Sequence, residues 1–179
     1  MNIKGRGIVM SEVIALLQKQ CNEKNLHFTK KPILIGGMAK EYYGIRKSGG
    51  DFDLVVCDED YQSLALAYPD NRVDAWGDLG IRLMPFEIWR SIARFDYDFF
   101  SKNAIDEGIS FVVSLDRLLF MKVIAMDYGA HEKYKNDLHL LKEYYKKHLV
   151  NQEYHSNMEK NMASYERNNG AVLGGRYFD

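Results

Sequence analysis

Ile33-Leu34-Ile35-Gly36-Gly37 and, thirteen residues further on, Asp51-Phe52-Asp53-Leu54-Val55-Val56 are the two stretches that decide the reading of this chain. Each carries the short apolar run of a buried strand. The first ends in a glycine pair, residues 38–43 then favour a helix, and Gly44 closes it. Lys47-Ser48-Gly49-Gly50 reads as a turn, which delivers the chain into the second strand. Residues i and i+2 of a strand face the same way, so Asp51 and Asp53 project from one face while Phe52 and Leu54 point into the core. Aspartate is a poor strand former. Two of them opening so apolar a strand break a local preference in the manner of a functional position.

Working outward, residues 11–25 predict an amphipathic helix, with Ser11 as N-cap and Val13, Ile14, Leu16 and Leu17 at helical spacing. Past Val56 the pattern predicts a short helix over 59–67, a strand over 72–76, a turn over 77–80 and a strand over 81–84. After Pro85, residues 86–93 read as helical and residues 111–113 as a short strand. Ser114 then caps a helix carrying Leu115, Leu118, Leu119, Lys122 and Ile124, which ends near Gly129. A last helix covers 132–148, with Leu138, Leu141, Tyr144 and Tyr145 on one side. Strands alternating with helices predict an α/β (α+β) fold with a mixed sheet. The expected division is a core over 1–113, a helical segment packed on it over 114–150, and a polar tail over 151–179.

The composition narrows the function classes. The chain has 179 residues, of which 46% are hydrophobic, enough for a substantial core. Its net charge is −1, from 24 basic and 25 acidic residues, so no broad electrostatic grip on nucleic acid is written into it. Cys21 and Cys57 have no metal-ligand spacing and read as reduced thiols. The five histidines (His27, His131, His139, His148 and His155) also lack ligand spacing. No apolar run is long enough to cross a bilayer, and residues 1–10 lack the apolar stretch of a signal peptide. A soluble, cytoplasmic protein is expected.

Two carboxylates about 6–7 Å apart on one strand face suit a hard divalent cation such as magnesium, which keeps waters and shares phosphate oxygens. Gly36 and Gly37, between strand and helix and without side chains, let backbone N–H groups approach an anion.

Together, Ile35-Gly36-Gly37 and Asp51-Phe52-Asp53-Leu54 resemble the signature of the nucleotidyltransferase (polymerase-beta-like) superfamily. The resemblance implies a mixed sheet flanked by helices, two magnesium ions and an NTP such as ATP as substrate. It also implies a third carboxylate on a neighbouring strand. Asp74, within Arg72-Val73-Asp74-Ala75-Trp76, suits that role best; Glu87 is the runner-up, on a segment that reads as helical, and Asp78 lies in a turn. Residues 112–125 look like the helix that follows the catalytic sheet in AbiEii-like toxin nucleotidyltransferases. The next motif there is Arg-x-Lys-Asp-x-x-Asp-Leu-x-x-Leu. Here Lys133, Asp137, Leu138 and Leu141 match it, while His131 stands for the arginine and Tyr134 for the first aspartate. Lys122 and Lys133 are the basic residues implied for the phosphates. The implied reaction moves an NMP to an acceptor hydroxyl on tRNA or another RNA, a protein or a small molecule, in a toxin-like setting with an antitoxin partner. The alternative is a catalytically degenerate nucleotide-binding or protein-interaction domain.

Overall fold

The computed structural model describes residues 11–75, 77–126 and 132–148, with residues 160, 161, 163 and 167. Helix α1 (Glu12–Glu23) starts where Ser11 Oγ accepts the Ile14 N–H at 3.3 Å, and it buries Val13, Ile14 and Leu17. Strand β1 (Ile33–Ile35) is buried at every position and runs straight into helix α2 (Gly36–Tyr42). After the glycine-rich turn come β2 (Phe52–Val55), α3 (Asp58–Ala67), a 3-10 turn (Pro69–Asn71), β3 (Arg72–Ala75), β4 (Asp78–Leu83) and β5 (Phe86–Trp89). A short α4 (Tyr97–Ser101), capped by Asp96, leads to β6 (Ile105–Asp106) and β7 (Phe111–Val112). Helices α5 (Leu115–Ala125) and α6 (Glu132–His148) pack on each other.

The strands form one seven-stranded mixed sheet in the order β3-β4-β5-β2-β1-β7-β6. β1 lies antiparallel to β2 and parallel to β7, and β2 lies parallel to β5. β3, β4 and β5 make an antiparallel meander on one side, and β6 closes the other edge antiparallel to β7. The fold is the mixed α/β architecture expected. Phe52 and Phe86 stack across β2 and β5 with ring centroids 5.4 Å apart, and both are fully buried. Burial of a side chain of that size stabilises by about 1.5–3 kcal/mol.

Two expected elements are wrong, and the first is the turn over 77–80, of which 78–80 already pair with β3 as the start of β4. Residues 86–93 are not a helix: 86–89 form β5, and Ala93 (φ 50°) and Arg94 (φ 64°) turn the chain behind it. A four-residue stretch has no period long enough to separate strand from helix. Here pairing decides, because β5 fills the gap between β2 and β4 and satisfies both backbones. The expected helix end near Gly129 lies outside the described residues, as do Trp76, His131 and all of the 151–179 tail but four positions. Among the described residues no helix is long and apolar enough to cross a membrane.

Candidate active site

The antiparallel register sets Ile35 of β1 opposite Asp53 of β2, so the glycine pair leaves β1 directly beside the Asp53 carboxylate. Gly36 sits at φ +65°, and a Cβ there would come within 1.9 Å of Asp53 Oδ2. Only glycine fits both the left-handed backbone and that approach. Gly37 donates its N–H to the Asp53 carboxylate. A Cβ on Gly37 would meet nothing closer than Ser48 Cβ at 3.6 Å, an ordinary contact. The two glycines therefore differ in kind. Gly36→Ala should lose about 1–3 kcal/mol of stability and displace Asp53, whereas Gly37→Ala should stay near wild type in thermal unfolding.

β5 brings a second carboxylate to the same place. Its parallel register sets Glu87 opposite Asp53, roughly 5 Å away across the sheet. Burial first, and then the Glu87 charge, push the Asp53 carboxyl up to about 6, against the Gly37 N–H, Lys122 and Lys40, which pull it down. Glu87 is partly exposed and meets Arg82 of β4 at 3.3 Å. Asp51 lies just before β2, exposed at the mouth of the same sheet end.

Asp74 is elsewhere. It sits on β3, three strands from β2, and is level with Leu79 rather than with Arg82, the residue that faces Glu87. Strand spacing and rise put it about 17 Å from Asp53. Its carboxylate accepts the Gly77 N–H at 2.6 Å, closing the β3–β4 turn. Asp78 likewise holds a turn, accepting from Ser91 Oγ, Ala93 N and Arg94 N.

The helices supply the cations. Asp137 of α6 is 1% exposed and gathers three of them. Lys40 of α2 donates to it in a buried pair, Arg46 Nε donates at 2.6 Å, and Lys122 Nζ of α5 lies at 3.5 Å. Burial favours the neutral Asp137 carboxyl, but Arg46, Lys40 and Lys122 together hold it well below the usual carboxylate range. Burial, and then the Lys122 charge, lower Lys40 to about 8 despite Asp137. Three cations on one anion leave an excess of positive charge, and both Lys122 and Lys40 act on Asp53. Lys122 also lies 5.1 Å from the Tyr134 ring centroid. Lys133 is exposed, one helical turn before Asp137.

The glycine-rich turn is tied down by Glu41 of α2, which accepts from Lys47 Nζ and Ser48 N, both at 2.8 Å. Those bonds hold the Glu41 carboxyl at about 2 and fix the turn that carries Asp51 to the site.

Asp53 and Glu87 form an oxygen-only pair; a hard cation would relieve their mutual repulsion and the burial of the Asp53 charge, and magnesium is commonly held by one or two carboxylates plus phosphate oxygens. No group of three or more His, Cys, Asp or Glu side chains gathers at metal-binding distance among the described residues. Asp53 and Glu87 stand side by side on β2 and β5, and Asp51 immediately precedes β2.

Lys40, Arg46 and the role of Asp137 are not legible in the sequence. A lysine on a short helix reads as solvated, and Arg46 meets Asp137 across 91 positions of chain.

No protein-family model matches the chain, and no curated protein matches it significantly. Among solved structures, it is similar to an antigenic nucleotidyltransferase-like protein from Paracoccidioides brasiliensis. The identity is 13%, 90% of each chain is covered, and the TM-score is 0.41, a loose likeness.

Proposed function

We propose that this chain is a metal-dependent nucleotidyltransferase that moves an NMP from an NTP to an acceptor hydroxyl. The observation that carries the proposal is the in-register Asp53–Glu87 pair beside the glycine turn, with positive charge from Lys40 and Lys122 acting on it. Asp53 and Glu87 would hold a magnesium ion, with Asp51 added for a second. Magnesium supplies charge stabilisation for the attacking and leaving oxygens of an in-line displacement.

The residues do the positioning. Gly36 leaves the Asp53 carboxylate open to a ligand, because there is no side chain between them. The Gly36–Gly37 backbone, together with Lys122, would approach the triphosphate, and Asp137 keeps Lys122 oriented. Lys133, exposed near the same helix face, meets the outer phosphates. The acceptor hydroxyl attacks the α-phosphorus and its proton passes to a Glu87 carboxylate oxygen. The bond to the pyrophosphate breaks, and pyrophosphate leaves. Such catalysis is mainly positioning and charge stabilisation.

Glu87 takes the third-carboxylate role in this proposal, because Asp74 is about 17 Å away. Glu87→Gln should lower magnesium-dependent turnover at least about 10²-fold, the scale of losing one charge-stabilising group. Asp74→Asn should leave turnover within about twofold and cost at most about 1 kcal/mol through the weakened Gly77 bond. Equal loss in both variants would reject the assignment.

The proposed setting is a toxin-like enzyme in the cytoplasm with an antitoxin partner, acting on RNA such as tRNA, on protein or on a small molecule. Incubation with each radiolabelled NTP, magnesium and a cell lysate identifies donor and acceptor in one experiment. Label transferred to a product, with pyrophosphate released, is the expected result. A second reading, nucleotide binding without catalysis, is favoured by the lack of a three-carboxylate cluster among the described residues and by Arg82 engaging Glu87. Magnesium-dependent NTP binding with no pyrophosphate release from any NTP would select it.

A further inference from the structure

A polar cavity of about 340 Å³ opens between α4 and α5, lined by Phe99, Lys102, Asn103, Asp116, Arg117, Lys160 and Asn161. Its chemistry is one-sided. Arg117 is 6% exposed, lies 4.4 Å over the Phe99 ring and donates one Nη to the Lys102 carbonyl at 2.8 Å. Among the described residues its Nε has no hydrogen-bond partner, and neither does the Nδ2 of Asn161, which is 9% exposed. Both atoms are donors. Two buried donors lacking an acceptor at one cavity are costly in a folded protein and call for an explanation.

Charge points the same way. Lys102, Arg117 and Lys160 face the cavity against the Asp116 carboxylate, which stands 3.9 Å from Arg117 Nη1. Burial disfavours the guanidinium charge more than Asp116 supports it. A compact, negatively charged group with several acceptor oxygens would satisfy these donors. The planar fork of arginine, held flat by Phe99, matches phosphate geometry.

We propose that this cavity is a phosphate-binding site, distinct from the Asp53–Glu87 seat. Asp116 and Arg117 follow β7, which lies two strands from β2, roughly 10 Å across the sheet. β7 and β1 are parallel, so Ser114–Arg117 leave the sheet at the end where Gly36 leaves β1. A phosphate held there comes from a ligand other than the triphosphate proposed for Gly36–Gly37, either free phosphate or a phosphorylated small molecule.

The test is calorimetric titration of the full chain, without magnesium, with inorganic phosphate and with a sugar phosphate monoester. Wild type should bind at least one of them, and tighter binding of the monoester would name a phosphorylated small molecule as the source. Lys102→Glu, at an exposed position that should not disturb folding, and Asn161→Asp should each weaken binding about tenfold or more, the effect of opposing a charge-assisted bond. Lys122→Gln, at the other site, should leave it unchanged. The proposal is overturned if folded wild type binds neither probe at millimolar concentration. It is overturned equally if binding survives Lys102→Glu intact, or is lost in Lys122→Gln.

Discussion

Asp137→Ala should cost about 3–5 kcal/mol of stability, the penalty for removing one partner of a buried charge cluster and leaving the other charges unpaired. Asp137 is the anion shared by Lys40, Arg46 and Lys122, and Lys40 is as deeply buried as Asp137 itself. Without it, three cations face one another. The loss should also have a pH signature through Lys40. In the folded wild type this amine is lowered to about 8, well below the usual lysine range. A depressed lysine destabilises the fold fully below its folded pKa, and stability recovers as pH rises through the window up to the unfolded value. Without Asp137 the folded pKa drops further, and the window opens at lower pH. The stability gap between variant and wild type should therefore narrow as pH rises towards 8, and the Lys40 part should vanish above it. Chemical denaturation at several pH values from 6 to 9 checks this; a gap that widens over the range would contradict the cluster's role.

Asp53→Asn should have the opposite pair of effects, ruining turnover while stabilising the empty protein. Magnesium-dependent turnover should fall at least about 10³-fold, on the order of 4 kcal/mol in the barrier. Stability in the absence of metal should rise by on the order of 2 kcal/mol near neutral pH. The sign follows from the raised carboxyl, about 6 in the fold against about 3.9 for an ordinary aspartate. Between those values the folded protein holds the proton more tightly, so ionisation penalises the fold progressively as pH rises and fully above about 6. Asparagine carries no such charge, and its amide oxygen still accepts the Gly37 N–H. The variant's advantage should disappear as pH falls towards 4. Magnesium with NTP should stabilise wild type and leave Asp53→Asn unmoved. Thermal unfolding with and without the ligands, beside a pyrophosphate-release assay, reads all three outcomes. A destabilised Asp53→Asn would mean that the carboxylate serves the fold, not a ligand.

Much of this protein was legible in order along the chain. Local signals are strong where one element explains itself: Ser11 capping α1, the apolar run of β1 breaking into Gly36-Gly37, Asp53 disturbing an otherwise apolar β2. Helix periodicity over 132–148 is long enough to stand without tertiary help. β5 shows the limit. Four residues, Phe86 to Trp89, carry no usable period, so their strand identity depends on β2 and β4, which no local window contains. Read as helix, they leave Glu87 off the sheet; as β5 they set it opposite Asp53.

By itself, then, the sequence determined the elements with their own local reasons, the glycine turn, and Asp53 as a carboxylate out of place in a strand. The reason is that backbone propensity, capping and side-chain period act within a few residues. Tertiary structure alone decided which groups meet. Sheet register put Glu87, 34 positions away in the chain, beside Asp53 and left Asp74 at the far edge. Helix packing gathered Lys40, Arg46 and Lys122 on Asp137 and took those charges out of water, and only burial makes such a cluster strong enough to shape a site.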